Sequence, residues 1–579
     1  MEKVRMREKY MANIVFITPN FTGFLREEPV GTLLLSTILQ SAGMSVNILQ
    51  FHQFGDLQQF DVFISNAAQM VLKRKPRIVS FYTRCDSYHI SLRIAERIKA
   101  QCKDIYVVFA GPQADLVAED TIKEIPYVDF ICCGEGETTI VPFFNSLLSG
   151  KPDLTVNGLV YRYDGRIVKN PRPELIANLD SLPAIDYSFL EYSNEGVASK
   201  GRKLFPVDVG RGCPFSCTYC STKLFWGRKY RLKSADRIIA EIKDIHDRFH
   251  VEAFNFEHDM FTMNREKVID ICQKLKSLDF SIQWRCSARM DCLDEELIDI
   301  MVDAGMNMLF VGIESGSPRM QKLIHKNLKL DNIPEMLAYI SSKGVNITAS
   351  FIYGFPNETE EDFAQTMALM TELNKLPNID IQQHLCTFFP GTELTSEYIG
   401  ELKPAADTSN ITGDIAVQEC ADLIFAHPSL FSHFFEYKNE LRDKIKYYPM
   451  FFMCWRIVRP VYEYIAAKYY SHGLCQMLYD FSARNQSLLA TKTSIEDLLR
   501  KDQFLDLFSD DQMYPILKET VRFLAWKSFA EVGSAELFKL DVRAILNGET
   551  IDQVQPEFTF IQYLKTDGKD RKFFIRKVK

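Results

Sequence analysis

Three cysteines constrain this chain more than any other feature. Cys213, Cys217 and Cys220 stand in Val-Gly-Arg-Gly-Cys-Pro-Phe-Ser-Cys-Thr-Tyr-Cys (209–220), at Cys-x3-Cys-x2-Cys spacing and with no fourth cysteine nearby. A structural zinc site needs four ligands, usually as two ligand pairs, and the next cysteine is Cys272, so zinc fits poorly. A disulfide cluster fits less well. Fourteen cysteines in 579 residues is an ordinary number, their other spacings are irregular and no secretory leader precedes them, so a reducing cytoplasm is the expectation. A cubane 4Fe-4S cluster, in contrast, has four irons, and three thiolates leave one iron open to a chelating small molecule.

Downstream of the triplet, short apolar runs rich in β-formers alternate with helical patterns. Strands are expected at 204–209, 253–256, 282–286, 308–313, 347–353 and 379–385, and helices at 234–250, 265–278, 295–304, 333–343 and 360–373. Repeated βα steps predict a parallel barrel, open or partial, whose chemistry sits at the carboxyl ends of its strands. The unusual polar residues fall at those ends. Each alone reads as a strand end with a turn or a solvated charge.

The triplet and its order of strand-end motifs resemble the radical S-adenosylmethionine family, down to the aromatic Tyr219 before the last cysteine. The resemblance implies that methionine amine and carboxylate chelate the open iron and that homolysis gives a 5′-deoxyadenosyl radical. Glu257-His258-Asp259-Met260-Phe261-Thr262 is similar to the family's Asp-Asp-x-Phe-Thr segment, with His258 replacing the first acid. It implies a place near the methionine amine for His258 and Asp259. Ser287 and Arg289, in Cys286-Ser287-Ala288-Arg289, end the third strand, and Arg289 is expected to pair bidentately with the cofactor carboxylate. Glu314 ends the fourth and is expected on ribose or ammonium. Ile352 and Gly354 end the fifth, before a Gly-x-Pro-Gly-Glu-Thr-like turn in which Asn357 replaces glycine, a residue that tolerates positive φ. Cys286 and Cys386 are either hydrogen donors or small buried hydrophobes.

The first ~150 residues alternate differently: strands at 13–18, 46–50, 78–82, 105–110 and 130–133, with helices from 29 to about 43 and over 90–101. This predicts an N-terminal doubly wound Rossmann-like α/β domain over 12–145, binding its ligand beyond the carboxyl ends of its strands. No Gly-x-Gly-x-x-Gly follows the first strand, which disfavours a dinucleotide. The loops resemble the cobalamin-binding domain that precedes many radical S-adenosylmethionine barrels. That likeness implies a corrin site formed by Thr18, Pro19, Gly31, Ser80, Tyr82, Thr83, Arg84, Asp86, Gly111, Pro112, Gln113, Gly134, Glu135 and Gly136. Ala110-Gly111-Pro112-Gln113 departs from the family's Gly-Gly-Pro-His turn, and a Rossmann domain that has lost its corrin is the competing reading. Asp-x-His-x-x-Gly is absent, implying no protein histidine on cobalt; Arg84, Asp86 and Tyr88 are candidates for its lower side, and Asp86 equally for a helix cap.

Residues 146–203 read as a linker with a hairpin at 157–163 and 165–169, 204–397 as a partial (β/α)6 barrel, and 398–579 as a mainly helical, aromatic-rich region ending in a strand pair at 558–565 and 571–577. The aromatic runs 431–437 and 447–470 lie in that region, and Met450-Phe451-Phe452-Met453-Cys454-Trp455 is either core or a membrane-surface or peptide-binding face. The tail 1–9 is expected to be disordered. A formal net charge of −8 gives no overall footprint for nucleic acid, and the basic stretch 223–233 is local, expected beside the cluster loop. No uncharged apolar run reaches the ~20 residues needed to span a bilayer, so a soluble, cytoplasmic protein is expected. The resemblance implies an enzyme with a 4Fe-4S cluster, S-adenosylmethionine and cobalamin, served by an electron donor such as flavodoxin or ferredoxin. It methylates an unactivated carbon, or carries out cobalamin-assisted rearrangement, cyclisation or oxidation; a non-catalytic binding protein is the third reading. The substrate, whether peptide, lipid or small metabolite, is not legible.

Overall fold

The computed structural model describes residues 12–19, 30–189, 198–199, 202–405, 416–445, 558–566 and 570–577. Strands β1 (Ile14–Thr18), β2 (Val46–Gln50), β3 (Ile78–Tyr82), β4 (Tyr106–Ala110) and β5 (Phe130–Cys132) form a parallel sheet in the order 2-1-3-4-5. All five residues of β1 are buried, as a central parallel strand covered on both faces requires. The chain reverses direction across the sheet between β1 and β3, so a crevice opens beyond Thr18 and Tyr82, the topological switch point at which such folds bind ligands. The hairpin β6 (Leu159–Tyr163) and β7 (Arg166–Lys169) adds antiparallel to β5, so part of the segment read as a linker completes this sheet.

Six further strands form a second, wholly parallel sheet in sequential order: β8 (Phe205–Asp208), β9 (Ala253–Glu257), β10 (Gln283–Ala288), β11 (Met306–Glu314), β12 (Asn346–Tyr353) and β13 (Ile379–Leu385). This is the expected open barrel. In β10 the alternation places Trp284, Cys286 and Ala288 on the buried face, where Trp284 stacks on Phe256 at 4.7 Å and donates to the Ala304 carbonyl at 2.8 Å. Cys286 shares that face and interacts with Cys272, on the helix Arg265–Leu275, and burial raises its pKa. Its surroundings are those of a small hydrophobe.

Phe60–Leu72, Pro112–Leu116, Ala118–Glu124, Ile140–Leu148, Thr222–Trp226 and Pro318–Leu323 are helices that the sequence pattern does not disclose. The aromatic run 431–437 is not helical. It forms a 3-10 turn, Ser432–Phe434, then a short strand, because Phe434 and Phe431 turn edge-on to His89 at 5.2 and 6.5 Å while His433 Nε2 lies 2.9 Å from the Cys85 carbonyl. The strand pair Phe558–Thr566 and Asp570–Lys577 is antiparallel. The stretches 1–9, 447–470 and 450–455, and Pro29, lie outside the described residues. No described helix is long and apolar enough to cross a membrane.

Two compact units are present, 1–353 with 372–437 and 354–371 with 438–579. Within the second, Gly354 N–H donates to Glu358, whose carboxyl burial raises to about 8, and Arg442 donates to the Gly354 carbonyl at 2.9 Å. Within the first, a buried ion network joins the N-terminal sheet to the barrel. Glu135, just past β5, accepts from Arg211 at 2.8 Å, Arg231 at 2.9 Å and the Ile176 N–H at 2.6 Å. Arg211 also meets Glu137 at 2.6 Å and Asp208 at 3.8 Å, while Lys233 reaches Asp208 at 3.5 Å and Glu241 at 2.9 Å, and Arg237 closes on Glu241 at 2.7 Å. Four carboxylates face four cations, so the buried set is neutral. Burial alone would raise the Glu135 carboxyl; Arg231 and Arg211 hold it below the ordinary value. Removing one partner strands buried charge, which costs about 3–5 kcal/mol. Glu135→Ala is therefore expected to lower the unfolding free energy by that order, read from the shift of the denaturant midpoint at pH 7.

Candidate active site

The cysteine triplet occupies a loop held at its base by a two-residue ribbon, Gly210–Arg211 paired antiparallel with Arg231–Leu232. Gly212 has φ +87°, and a Cβ there would run into the Lys229 carbonyl, so only glycine allows the loop to leave the ribbon. Asp259, just past β9, ties the loop's two ends together, accepting from Gly212 N–H at 2.9 Å and from Thr222 Oγ1 at 3.4 Å. The acid expected near the methionine amine thus also clamps the cysteine loop. His258 is buried with both ring nitrogens engaged. Its Nδ1 accepts from Met260 N–H at 2.8 Å, and its Nε2 lies 3.2 Å from the Arg231 carbonyl. Its place is structural: it holds the turn to the ribbon.

On the other flank, Thr218 N–H donates to the Ile324 carbonyl at 3.1 Å and the Cys217 thiol lies 3.9 Å from the His325 carbonyl. Arg289 lies 3.8 Å above the Phe215 ring, inside the loop. Its fork is occupied by Asp291 at 2.8 and 2.9 Å, and a third bond goes to the Lys326 carbonyl. The bidentate partner expected for a cofactor carboxylate is therefore Asp291. Buried Nη1 is left with no hydrogen-bond partner among the described residues, and its two N–H groups remain for a ligand.

The three thiols fit a cluster. They interact with one another, and burial, reinforced by Cys220 and Cys217, pushes Cys213 up to about 11. Cys220 is likewise raised by burial. Burial keeps Cys213 and Cys220 from ionising until bound iron supplies the compensating charge. Among the described residues no three His, Cys, Asp or Glu side chains converge as a single-ion site requires; a cubane asks for one thiolate per iron.

Glu314 ends β11 at φ +69°, after a register irregularity at Gly312, a conformation a non-glycine residue keeps only when its surroundings impose it. Its carboxylate meets the buried Lys326 ammonium at 3.0 Å. Tyr219 interacts with Glu314 and is held protonated by burial. Ile352 pairs in register with His384, which also interacts with Glu314 and whose Nδ1 is buried without a partner among the described residues. Ser287 is half-buried in β10, one residue from Ala288. Tyr219, Arg289, Glu314, Lys326 and His384 thus form one polar group inside the barrel. Lys326 and His384 were not flagged by the sequence; the second lies one residue before the carboxyl end of the last strand, a position that can be read from strand order alone.

In the N-terminal sheet, Thr18 is buried with Oγ1 unpartnered among the described residues, and the Pro19 carbonyl accepts from Arg84 at 3.5 Å. Arg84 pairs with Asp86 at 2.9 Å. Ser80 is buried on β3, and Tyr82 ends that strand half-exposed. Thr83 bridges the strand ends: its Oγ1 donates to the Ala110 carbonyl at 2.8 Å and accepts from Ala114 N–H at 3.0 Å. Gly111, at φ +92°, admits no Cβ because the Thr83 backbone fills that space, and Pro112 starts the next helix. Gln113 turns away, donating to the Leu430 carbonyl at 2.7 Å. Gly31 is exposed on the first turn of its helix, and Gly134 donates to Asp115 at 2.9 Å. A Cβ on Gly136 would touch Leu35 at 3.6 Å. Glu135 is fully engaged by the ion network, so its carboxylate serves the joint. The basic stretch 223–233 is accounted for locally, with Lys223 on Glu393, Arg228 on the Pro214 carbonyl, and Arg231 and Lys233 in the network.

Burial lowers the His258 pKa to about 4. The folded state then binds fewer protons than the unfolded chain between about pH 4 and 6.5, so stability falls as pH drops through that window. Protonation at Nδ1 also removes the acceptor of Met260 N–H. The metal-free protein is expected to lose ~1–2 kcal/mol between pH 7 and 5 from this residue, and His258→Gln to flatten that part of the stability curve in urea titrations at the two pH values.

Comparison with known proteins agrees with this geometry. The Radical SAM superfamily profile matches residues 207–370, and the B12 binding domain profile matches residues 24–143. An uncharacterized methyltransferase of Pyrococcus horikoshii is 30% identical over 338 residues, covering 58% of this chain and 72% of that protein. The anaerobic magnesium-protoporphyrin IX monomethyl ester cyclase of Rubrivivax gelatinosus is 25% identical over 372 residues, covering 62% and 66%. The fold is shared with the cobalamin-dependent S-adenosylmethionine radical enzyme OxsB, solved with aqua-cobalamin and S-adenosylmethionine, at TM-score 0.60 and 16% identity over 94% of this chain and 82% of that one. The cysteine loop, the six-stranded barrel and the sheet before it are those of a cobalamin-dependent radical S-adenosylmethionine enzyme, and the chain belongs to that family.

Proposed function

We propose that this enzyme transfers a methyl group to an unactivated carbon of its substrate. One observation carries the reading: the loop past β5, in the cobalamin domain, is ion-paired to Arg211, two residues before Cys213. This supports a fixed register between the sites proposed for the corrin and the cluster, as a reaction needing both on one substrate atom demands. When bound, the cluster, S-adenosylmethionine and cobalamin supply a 5′-deoxyadenosyl radical and a transferable methyl. The chain supplies placement.

Cys213, Cys217 and Cys220 hold the irons. Arg289 Nη1 offers a hydrogen bond to the methionine carboxylate, and Glu314, held by Lys326, offers an acceptor to ribose or ammonium. Tyr219, Ser287 and Ile352 complete the nucleoside surroundings, and Asp259 keeps the loop closed. Thr18, Pro19, Ser80, Tyr82, Gly111 and Pro112 offer a crevice at the switch point to the corrin and its tail, with Arg84 and Asp86 beside it. A small reductant protein and a non-nucleic-acid substrate complete the scheme. The 25% identity to a cyclase supports a second outcome on the same machinery, ring closure or oxidation without methyl transfer.

Anaerobically reconstituted protein given S-adenosylmethionine with a deuterated methyl is expected to form 5′-deoxyadenosine, S-adenosylhomocysteine and labelled product. Deoxyadenosine with substrate conversion but no label in the product supports the cyclase-like outcome. Cys217→Ala is expected to lose iron-sulfur absorption and at least 100-fold of deoxyadenosine formation while keeping its cobalamin, on the reasoning that a missing ligand prevents cluster assembly. Turnover at the wild-type rate in that variant sinks the reading.

A further inference from the structure

The turn that braces the cluster loop has a second, outward face. Residues 319–330 include Arg319, Lys322, Lys326 and Lys329 and no aspartate or glutamate, in a chain of formal net charge −8. Lys326 is buried on Glu314, whereas Lys322, His325 and Lys329 are exposed. Among the described residues no ion pair engages these three. Leu323, next to Lys322 in the chain, shows 42% of its surface. The backbone of the same turn touches the cluster loop through the Ile324 and His325 carbonyls, the second 3.9 Å from the Cys217 sulfur. An exposed cationic turn carrying an exposed leucine thus lies one backbone layer from Cys217.

We infer that this face docks an acidic flavodoxin-type electron carrier, with Lys322 and Lys329 meeting its carboxylates and Leu323 meeting the exposed apolar edge of its flavin. The inference rests on the assignment of Cys213, Cys217 and Cys220 to a 4Fe-4S cluster. One electron passes from the anionic flavin hydroquinone to the 2+ cluster, leaving a neutral flavin semiquinone and a 1+ cluster. Encounters of this kind bury little surface, under about 1,200 Å², and gain their rate and specificity from charge complementarity. The local charge suits that role, and an exposed leucine suits a planar ring edge better than a second hydrated ionic surface.

The test uses the full-length holoenzyme and an acidic bacterial flavodoxin. Lys322→Glu with Lys329→Glu is expected to weaken binding of oxidised flavodoxin roughly tenfold or more at low ionic strength, with the difference shrinking as salt screens it. Flavodoxin-driven cluster reduction slows in parallel, while reduction by dithionite and the iron and cobalamin contents stay at wild-type levels. The milder Lys322→Ala with Lys329→Ala shifts both in the same direction, and carbodiimide crosslinks to flavodoxin map to Lys322 or Lys329. Lys151→Glu with Arg166→Glu, an equal change of net charge on exposed residues of the N-terminal sheet region, leaves both values unchanged. Unaltered affinity in the first pair, an equal loss in the control pair, or crosslinks confined to other lysines overturns the proposal. Failure of dithionite itself to drive deoxyadenosine formation in the wild type would instead count against the cluster assignment.

Discussion

Everything in the catalytic unit depends on one buried electrostatic joint. Glu135 and Glu137 belong by chain position to the cobalamin domain, and Arg211, Arg231 and Lys233 to the ribbon that carries the cluster loop. Neither half of this set is tolerable alone, since an unpaired buried charge pays the full desolvation penalty. Apolar residues could join two domains as firmly. Paired charges also fix register, because a carboxylate that misses its guanidinium by an ångström or two loses both bonds at once. The Trp226 ring, 5.7 Å from Arg211 and 5.6 Å from Arg231, gives the two guanidinium groups a common polarisable partner.

The cluster loop inherits its shape from that joint and from its braces. From Gly212 to Cys220 the chain forms neither helix nor strand, so Asp259 closes the loop's ends, Arg289 stacks on Phe215 and the 324–325 carbonyls hold its far side. Segments that follow three successive barrel strands therefore converge on one loop. The strained φ of Glu314 belongs to the same convergence: its carboxylate is drawn to Lys326, and Lys326 lies in the brace.

Much of the fold was legible because its signals are local. The barrel strands were found nearly to the residue, and β13 runs over the expected 379–385, since β-branched runs bounded by turn residues leave little freedom. The cysteine triplet was legible for the same reason: its three thiols lie within eight residues. Glu135 shows the limit. Gly134-Glu135-Gly136-Glu137 stood out as a motif, yet the carboxylate's partner lies 76 residues further on, and no spacing rule reaches that far. Gln113 and Arg289 likewise stood out at strand ends, but their hydrogen bonds go to Leu430 and Asp291. The helix Phe60–Leu72 was missed because Gln59, the residue before it, makes no side-chain cap hydrogen bond.

Lys326 stands between His325 at φ +54° and Asn327 at φ +57°. Two left-handed residues on either side of one ordinary residue turn the chain sharply enough that the middle side chain enters the barrel while its neighbours face water. A smooth helix or strand through this stretch would spread 322, 325, 326 and 329 over one face or alternate them without regard to charge. The strain separates them by function, one ammonium inside to orient Glu314 and the others outside, on opposite sides of the backbone that touches Cys217. His and Asn are among the non-glycine residues that enter the left-handed region most readily, so His325 and Asn327 permit the turn without imposing it. It persists because Gln321 accepts from Leu328 N–H at 3.2 Å and donates to the Ile313 and Ser315 carbonyls at 2.8 and 2.6 Å, lashing the brace to the end of β11 from within.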